Sequence, residues 1–211
     1  MKEKQYEFAK KCGLDFGETD FTDIALASDE DFNAFCENIK NLQFPVLAAN
    51  HFLPGELNVV GRDVDNKALT EFLEKGFIYF DTAYMYHDFA SENVMKEALV
   101  DRHSRDSFML ATKLPTMFLE KEEDMERIFN EQLEKTGAGY FDYYLLHCLN
   151  TKNYETSERL GAFDFVMKKK SEGKVKKIGF SFHDSAELLD KILTEHPETE
   201  FVQLQINYLD W

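Results

Sequence analysis

The sequence predicts an α/β domain built on a parallel sheet, and three observations carry that expectation. Helix-like and strand-like segments alternate with a repeat of about 30 residues, the length of a β-α-β unit. The strand-like segments, among them FPVLAA (44–49) and KIGFSF (177–182), are continuous in apolar character, as strands covered on both faces require. With 44% hydrophobic and 30% charged residues, the 211-residue chain can bury a sizeable core as one domain.

The elements follow in order. A first strand is read in LDFGET (14–19). Ser28 then caps a helix in which Phe32, Phe35, Cys36, Ile39 and Leu42 share a face, ahead of FPVLAA. DNKALTEFLEKG (65–76) aligns Leu69, Phe72 and Leu73 and stops at Gly76, before FIYF (77–80). SENVMKEAL (91–99) precedes FMLATK (108–113). EDMERIFNEQLEKTG (123–137), with Met125, Ile128, Phe129 and Leu133 in phase, precedes YFDYYLLH (140–147). FDFVMKKKSEGK (163–174) leads into KIGFSF. Asp184 and Glu187 read as a capping-box pair ahead of ELLDKIL, Pro197 as its stop, and FVQLQINY (201–208) as the last of seven candidate strands.

Charge and composition narrow the function. A net charge of −16 repels phosphate backbones and anionic membranes, so neither nucleic acid nor membrane is an expected partner. The N-terminal MKEKQYEFAKKCG lacks the apolar stretch of a signal peptide, and no long apolar run follows, which points to a cytoplasmic protein. Cys12, Cys36 and Cys148 lie far apart without metal-ligand spacing and read as buried thiols; no metal site is expected. The basic run Lys168 to Lys170, with Lys174, Lys176 and Lys177, reads as a solvated helix end, with phosphate binding as the alternative.

The positions of the polar residues choose between an open sheet and a closed one. Asp81, Lys113, His147 and Ser181 end successive apolar strands, and Gln205 sits late in the next. In a (β/α) barrel of the triosephosphate-isomerase (TIM) type such strand ends surround one mouth, whereas an open sheet spreads them along an edge. No GxGxxG or GxxxxGK[ST] stretch marks a dinucleotide or P-loop crevice. The expected fold is therefore a TIM-type barrel, incomplete at seven strands, with an open edge through which copies of the chain would pair. Taken singly, each polar residue has a plainer reading: Asp81 as a turn cap, Lys113 as a solvated strand end, His147 as a structural histidine, and Tyr86 as a packed aromatic competing with Tyr84 and His87.

Together these residues carry a resemblance. FDTAYMY (80–86), the lysine ending FMLATK and the histidine ending FDYYLLH resemble the catalytic pattern of the aldo/keto reductases, over about residues 76–211 and in their ferredoxin-linked bacterial branch. The resemblance implies a tetrad of Asp81, Tyr86, Lys113 and His147. It also implies that Ser181 and Gln205 hold the carboxamide of a nicotinamide cofactor, NADP as NADPH. Phe182 stands where many members of the family have Asn. Residues 1–62 are similar instead to a sugar-phosphate isomerase/epimerase barrel, so the chain reads as a chimera joined between Gly61 and Gly76 within a single barrel domain.

The implied activity is reduction of a small aldehyde or ketone, an oxidoreductase reaction. Phenols in water release protons near pH 10, and an adjacent ammonium favours the phenolate; this is the logic of pairing Tyr86 with Lys113, with Asp81 as the lysine's counter-ion and His147 orienting the carbonyl. The chain ends at Trp211, ahead of the segments that bind the rest of the cofactor in the family. An inactive barrel scaffold is therefore the alternative, and a metal-dependent sugar isomerase the third reading.

Overall fold

The computed structural model describes residues 17–20, 28–42, 46–50 and 72–204. Cys12, Gln205 and most of the stretch between Gly61 and Gly76 lie outside the described residues. The chain divides into two compact units, Met1–Asp81 and Thr82–Trp211. No helix among the described residues is long and apolar enough to cross a membrane.

The first unit contains β1 (Gly17–Asp20), α1 (Asp29–Leu42), β2 (Val46–Asn50) and β3 (Tyr79–Asp81), with β1 parallel to β2. Ser28 caps α1 as expected: its Oγ accepts from the Asp31 N–H at 3.1 Å and donates to the Asp31 carboxylate at 2.7 Å. Phe72 is buried against Phe77 and Phe80, with ring centroids 4.7 and 5.3 Å apart. The turn after residues 72–74 closes at Gly76, whose φ of 90° few other residues adopt.

In the second unit β4 (Met109–Leu114), β5 (Phe141–Leu149), β6 (Val175–Phe182) and β7 (Phe201–Leu204) form a parallel sheet in that order. All seven expected strands thus have a counterpart. Leu110, Ala111, Leu114, Phe141, Tyr144, Leu145, Leu146 and Phe180 are fully buried on the central strands, each large side chain stabilising the fold by about 1.5–3 kcal/mol. Space is tight between β6 and β7, where a Cβ on Gly179 would lie 2.2 Å from the Phe201 carbonyl oxygen.

The helices follow the apolar phasing. α2 (Ser91–Met95) runs into a π-helical turn, Lys96–Val100, and α3 (Glu122–Thr136) buries Met125, Ile128 and Phe129 before Gly137 ends it at φ 63°. Two helices, not one, connect β5 to β6: α4 (Thr151–Leu160) and α5 (Ala162–Ser171), joined at Gly161. The sequence reading missed α4 because TKNYETSERL carries too few apolar residues for a clear stripe, although Asn150 caps it by accepting from the Asn153 N–H.

The cap of α6 (Ala186–Glu195) also differs from expectation. Ser185, not Asp184, accepts from the helix, at Leu188 N–H; Asp184 accepts from the Thr151 N–H at 2.8 Å and from its hydroxyl at 3.0 Å. The Asp184/Glu187 capping box does not form, because Asp184 is committed to the start of α4. Cys36 and Cys148 are not in a disulfide and are half-exposed, not buried.

The N-terminal ends of the strands are knitted by charge. Arg105 donates to the Asp142 carboxylate at 2.6 Å and to the carbonyls of Phe108, Ala138 and Tyr140, with its guanidinium over the Tyr140 ring. Asp142 also accepts from the Leu110 N–H and from Lys176. Burial pulls its carboxyl up, but Lys176, the Leu110 N–H and Arg105 outweigh that and hold it below the ordinary value. Glu200 pairs with Lys170 and Lys177. Lys169, itself buried, pairs with Glu126 and Glu172. The basic run is therefore solvent-facing at Lys168, Lys174, Lys176 and Lys177, as expected, while buried Lys169 departs from that reading.

Candidate active site

The chain after Asp81 turns sharply before α2, and Tyr86 sits in this turn. Its N–H donates to the Ala83 carbonyl, and its own carbonyl accepts from Ser91. His87, Asp88 and Phe89 follow with φ of 52°, 53° and 68°, three consecutive non-glycine residues in the left-handed region. Each such residue costs about 1–2 kcal/mol, strain of the kind that gathers at functional sites. The turn sets Phe89 against Tyr84 and Phe118 and leaves Tyr86 37% exposed.

Tyr84 and Tyr86 separate cleanly. Tyr84 donates to Glu131 at 3.0 Å, and Lys135 lies 4.2 Å from its ring centre. Burial and then Glu131 push its phenol above the ordinary value, which unsuits it to proton transfer near neutrality. Tyr86 faces different partners. Lys113 Nζ lies 4.8 Å from its ring centre, and the His147 ring meets it edge to face at 5.6 Å.

Strand pleating places Lys113 inside. It is 1% exposed near the end of β4, and its Nζ donates to the Thr82 carbonyl at 2.9 Å. His147, on β5, is also buried; its carbonyl accepts from the Thr116 hydroxyl, and its Nδ1 has no hydrogen-bond partner among the described residues. Burial, then Lys113 and His183, lower the imidazole to about 3, so it is neutral at physiological pH.

Beyond His147 the strand kinks. Cys148 takes φ 56°, and the β5–β6 register shifts between Leu146 and Leu149. The Cys148 N–H donates to Ser181 Oγ at 2.7 Å, which fixes Ser181 on β6 beside the same strand end. The hydroxyl proton has no acceptor among the described residues and is independent of that accepted bond.

The structure therefore brings Tyr86, Lys113 and His147 together, with Ser181 one strand further on. Asp81 ends β3 in the first unit, half-buried, and accepts from the Tyr79 hydroxyl at 3.4 Å. Gln205 lies beyond the described residues. Sequence reasoning missed a buried polar group behind β4: Glu92, Thr112, Gln132 and Tyr144. Only the pairing of Ser91 with Glu92 at a helix start hinted at it.

A parallel α/β sheet with Lys113, His147 and Ser181 gathered toward the C-terminal ends of its strands defines the class, part of a barrel-type α/β fold. A profile of the Aldo/keto reductase family matches residues 53–211, and the chain belongs to that family. The matched stretch begins upstream of residue 76.

Among solved structures, an aldo/keto reductase from Brucella melitensis is 27% identical, with a TM-score of 0.52 over 67% of this chain and 53% of that one. An aldo-keto reductase from a Medee basin deep-sea metagenome library is 25% identical, with a TM-score of 0.51 over 69% and 52%. One from Klebsiella pneumoniae, solved in complex with NADPH, shares the fold at 24% identity and a TM-score of 0.53, over 67% and 48%. The fold is the parallel-strand part of a TIM-type barrel, and the chain spans about half the length of these structures.

Proposed function

We propose that the chain reduces an aldehyde or ketone with NADPH, Tyr86 being the general acid. The observation that supports this reading is the convergence of an exposed phenol, a buried lysine and a buried neutral histidine at adjoining strand ends. NADPH, when bound, supplies the hydride. Tyr86 donates the proton that converts the developing alkoxide to an alcohol, and the Lys113 ammonium stabilises the phenolate left behind. Neutral His147 has a ring N–H to donate to the carbonyl oxygen, which orients the substrate and polarises it. Ser181 fits one end of a nicotinamide, since its free hydroxyl proton suits a carboxamide oxygen. Asp81, as counter-ion to Lys113, and Gln205, as a second carboxamide ligand, rest on the motif.

The ferredoxin-linked branch, the isomerase-like segment over residues 1–62 and the single-barrel organisation are proposed on sequence resemblance alone. Pairing of two copies and a cytoplasmic location belong to the same proposal.

Fluorescence titration with NADPH, followed by turnover of a generic aldehyde, tests the function. Saturable binding is expected in the wild type and in Tyr86→Phe, with turnover in the variant reduced on the order of a hundred- to ten-thousandfold. A folded chain that does not bind NADPH would sink the reductase reading and favour the inactive scaffold. Turnover abolished by EDTA and independent of NADPH would favour the isomerase.

A further inference from the structure

The proposed chemistry makes Tyr86 depend on Lys113 and uses neither Ser91 nor Glu92, the first two residues of α2. Both are buried, Glu92 completely. Ser91 and Thr82 share a hydrogen bond between hydroxyls at 2.7 Å. Thr82 is in turn tied to β4 at both backbone groups: its N–H donates to the Ala111 carbonyl at 2.9 Å, and its carbonyl accepts from Lys113 Nζ. Ser91 therefore braces the residue that holds the charged tip of Lys113.

Glu92 works at the other end of the same side chain. Its Oε1 accepts from the Thr112 hydroxyl at 2.7 Å and from Gln132 Nε2 at 2.7 Å. Gln132 Nε2 also donates to the Lys113 carbonyl at 3.0 Å, and the Tyr144 hydroxyl, donating to Gln132 Oε1 at 2.7 Å, fixes which way that amide faces. Thr112 and Lys113 are successive residues of β4, so their side chains leave opposite faces of the strand. A grip on Thr112 and on the Lys113 peptide from behind sets the direction in which Lys113 emerges in front.

Glu92 Oε2 has no partner among the described residues. Burial raises the Glu92 carboxyl above its ordinary value, against the hydrogen bonds from Thr112 and Gln132; from α3, Lys135 lowers it and Glu131 raises it. A carboxyl left this way, rather than replaced by an apolar residue, is a costly choice for packing alone.

We propose that Ser91 and Glu92 are positioning residues for Lys113, Ser91 holding its ammonium through Thr82 and Glu92 holding its peptide through Thr112 and Gln132. The catalytic consequence rests on Lys113 being the partner of Tyr86; the clamp itself does not.

Site-resolved lysine dimethylation with formaldehyde and borohydride, read by mass spectrometry, tests the clamp without reference to activity. Lys113 and Lys169 are both buried, at 1% and 4% exposure, and only Lys113 touches the network. Glu92→Ala is expected to raise the Lys113 labelling rate about tenfold relative to Lys169, as local opening would, and Ser91→Ala about threefold. Glu92→Gln, which keeps an accepting oxygen, should stay within about twofold of the wild type. Should Glu92→Ala fail to fold, Thr112→Val carries the same expectation at about threefold. Equal acceleration at both lysines, which marks general loosening, or no change at Lys113, overturns the proposal. In turnover, Glu92→Ala should lower kcat about tenfold with KM for the carbonyl held within about twofold. A wild type that reduces no carbonyl compound would defeat the functional reading and leave the labelling result to decide the clamp.

Discussion

The N-terminal ends of β4, β5 and β6 hold Arg105, Asp142 and Lys176 in closed ion pairs, with Glu200 beside them between Lys170 and Lys177, whereas the C-terminal ends hold Lys113, His147 and Ser181 beside an exposed phenol. At the first end every Arg105 nitrogen has an acceptor, and Asp142 receives three donors. At the second, among the described residues, His147 Nδ1 has no partner, and Ser181 Oγ accepts from Cys148 with no acceptor for its own proton. Charges that answer one another hold a fold together; polar groups with spare hydrogen-bonding capacity are the ones the proposed function calls on.

The sharpest break in this comparison is at the closed end. Arg105→Ala removes a partner of buried Asp142 and four hydrogen bonds, and urea unfolding should show a loss of about 3 kcal/mol. A loss below about 1 kcal/mol would mean that the network adds geometry without stability.

His147 gives the next effect. Its folded value of about 3 lies below the 6.5 of an unfolded histidine. Between those values the unfolded chain takes up a proton that the folded chain refuses, so stability is full above pH 6.5 and falls as pH drops toward 3. His147→Gln should flatten that window, and the two stability curves should converge by about 2 kcal/mol between neutrality and pH 5. Parallel curves would show that His147 titrates freely and that the mouth is wetter than the geometry indicates.

Glu200 sets the smallest effect. Burial raises its carboxyl, but Lys170, Lys177 and the Ile178 N–H bring it to about 2. Its share of stability is present above 4.5 and is lost as pH falls toward 2. Glu200→Gln keeps an acceptor for Ile178 and should cost about 0.5–1 kcal/mol at neutral pH, with the difference vanishing near pH 2. A larger cost would put Glu200 in the same class as Asp142.

How much of this was legible in the sequence depended on the kind of force. The strands were, because apolar and aromatic side chains in runs such as YYLL (143–146) have few other places to go. Lys113 and His147 stood out in the sequence as candidates because each interrupts an apolar run at its end. Asp142 and Gln132 were not, since a buried acid near the start of a strand and a buried amide inside EDMERIFNEQLEKTG look like the solvated residues around them until Arg105 and Glu92 are set beside them in space. The burial of Lys169 inside the basic run was hidden for the same reason: one of its carboxylate partners, Glu172, is close in sequence, but the other, Glu126, lies 43 residues away. The Ser185 cap was missed by one position, because Asp184 was spent on Thr151 across the crossover.

The contact of Gly179 with Phe201 reaches beyond stability to how this sequence can drift. The lineage can exchange Leu for Met on the neighbouring strands and repack, but any side chain at 179 would collide with the main chain of the adjacent strand, which cannot yield without moving β7. Position 179 is thus closed to neutral change by room rather than by backbone conformation, and descendants that differ widely elsewhere inherit that glycine or lose the strand beside it.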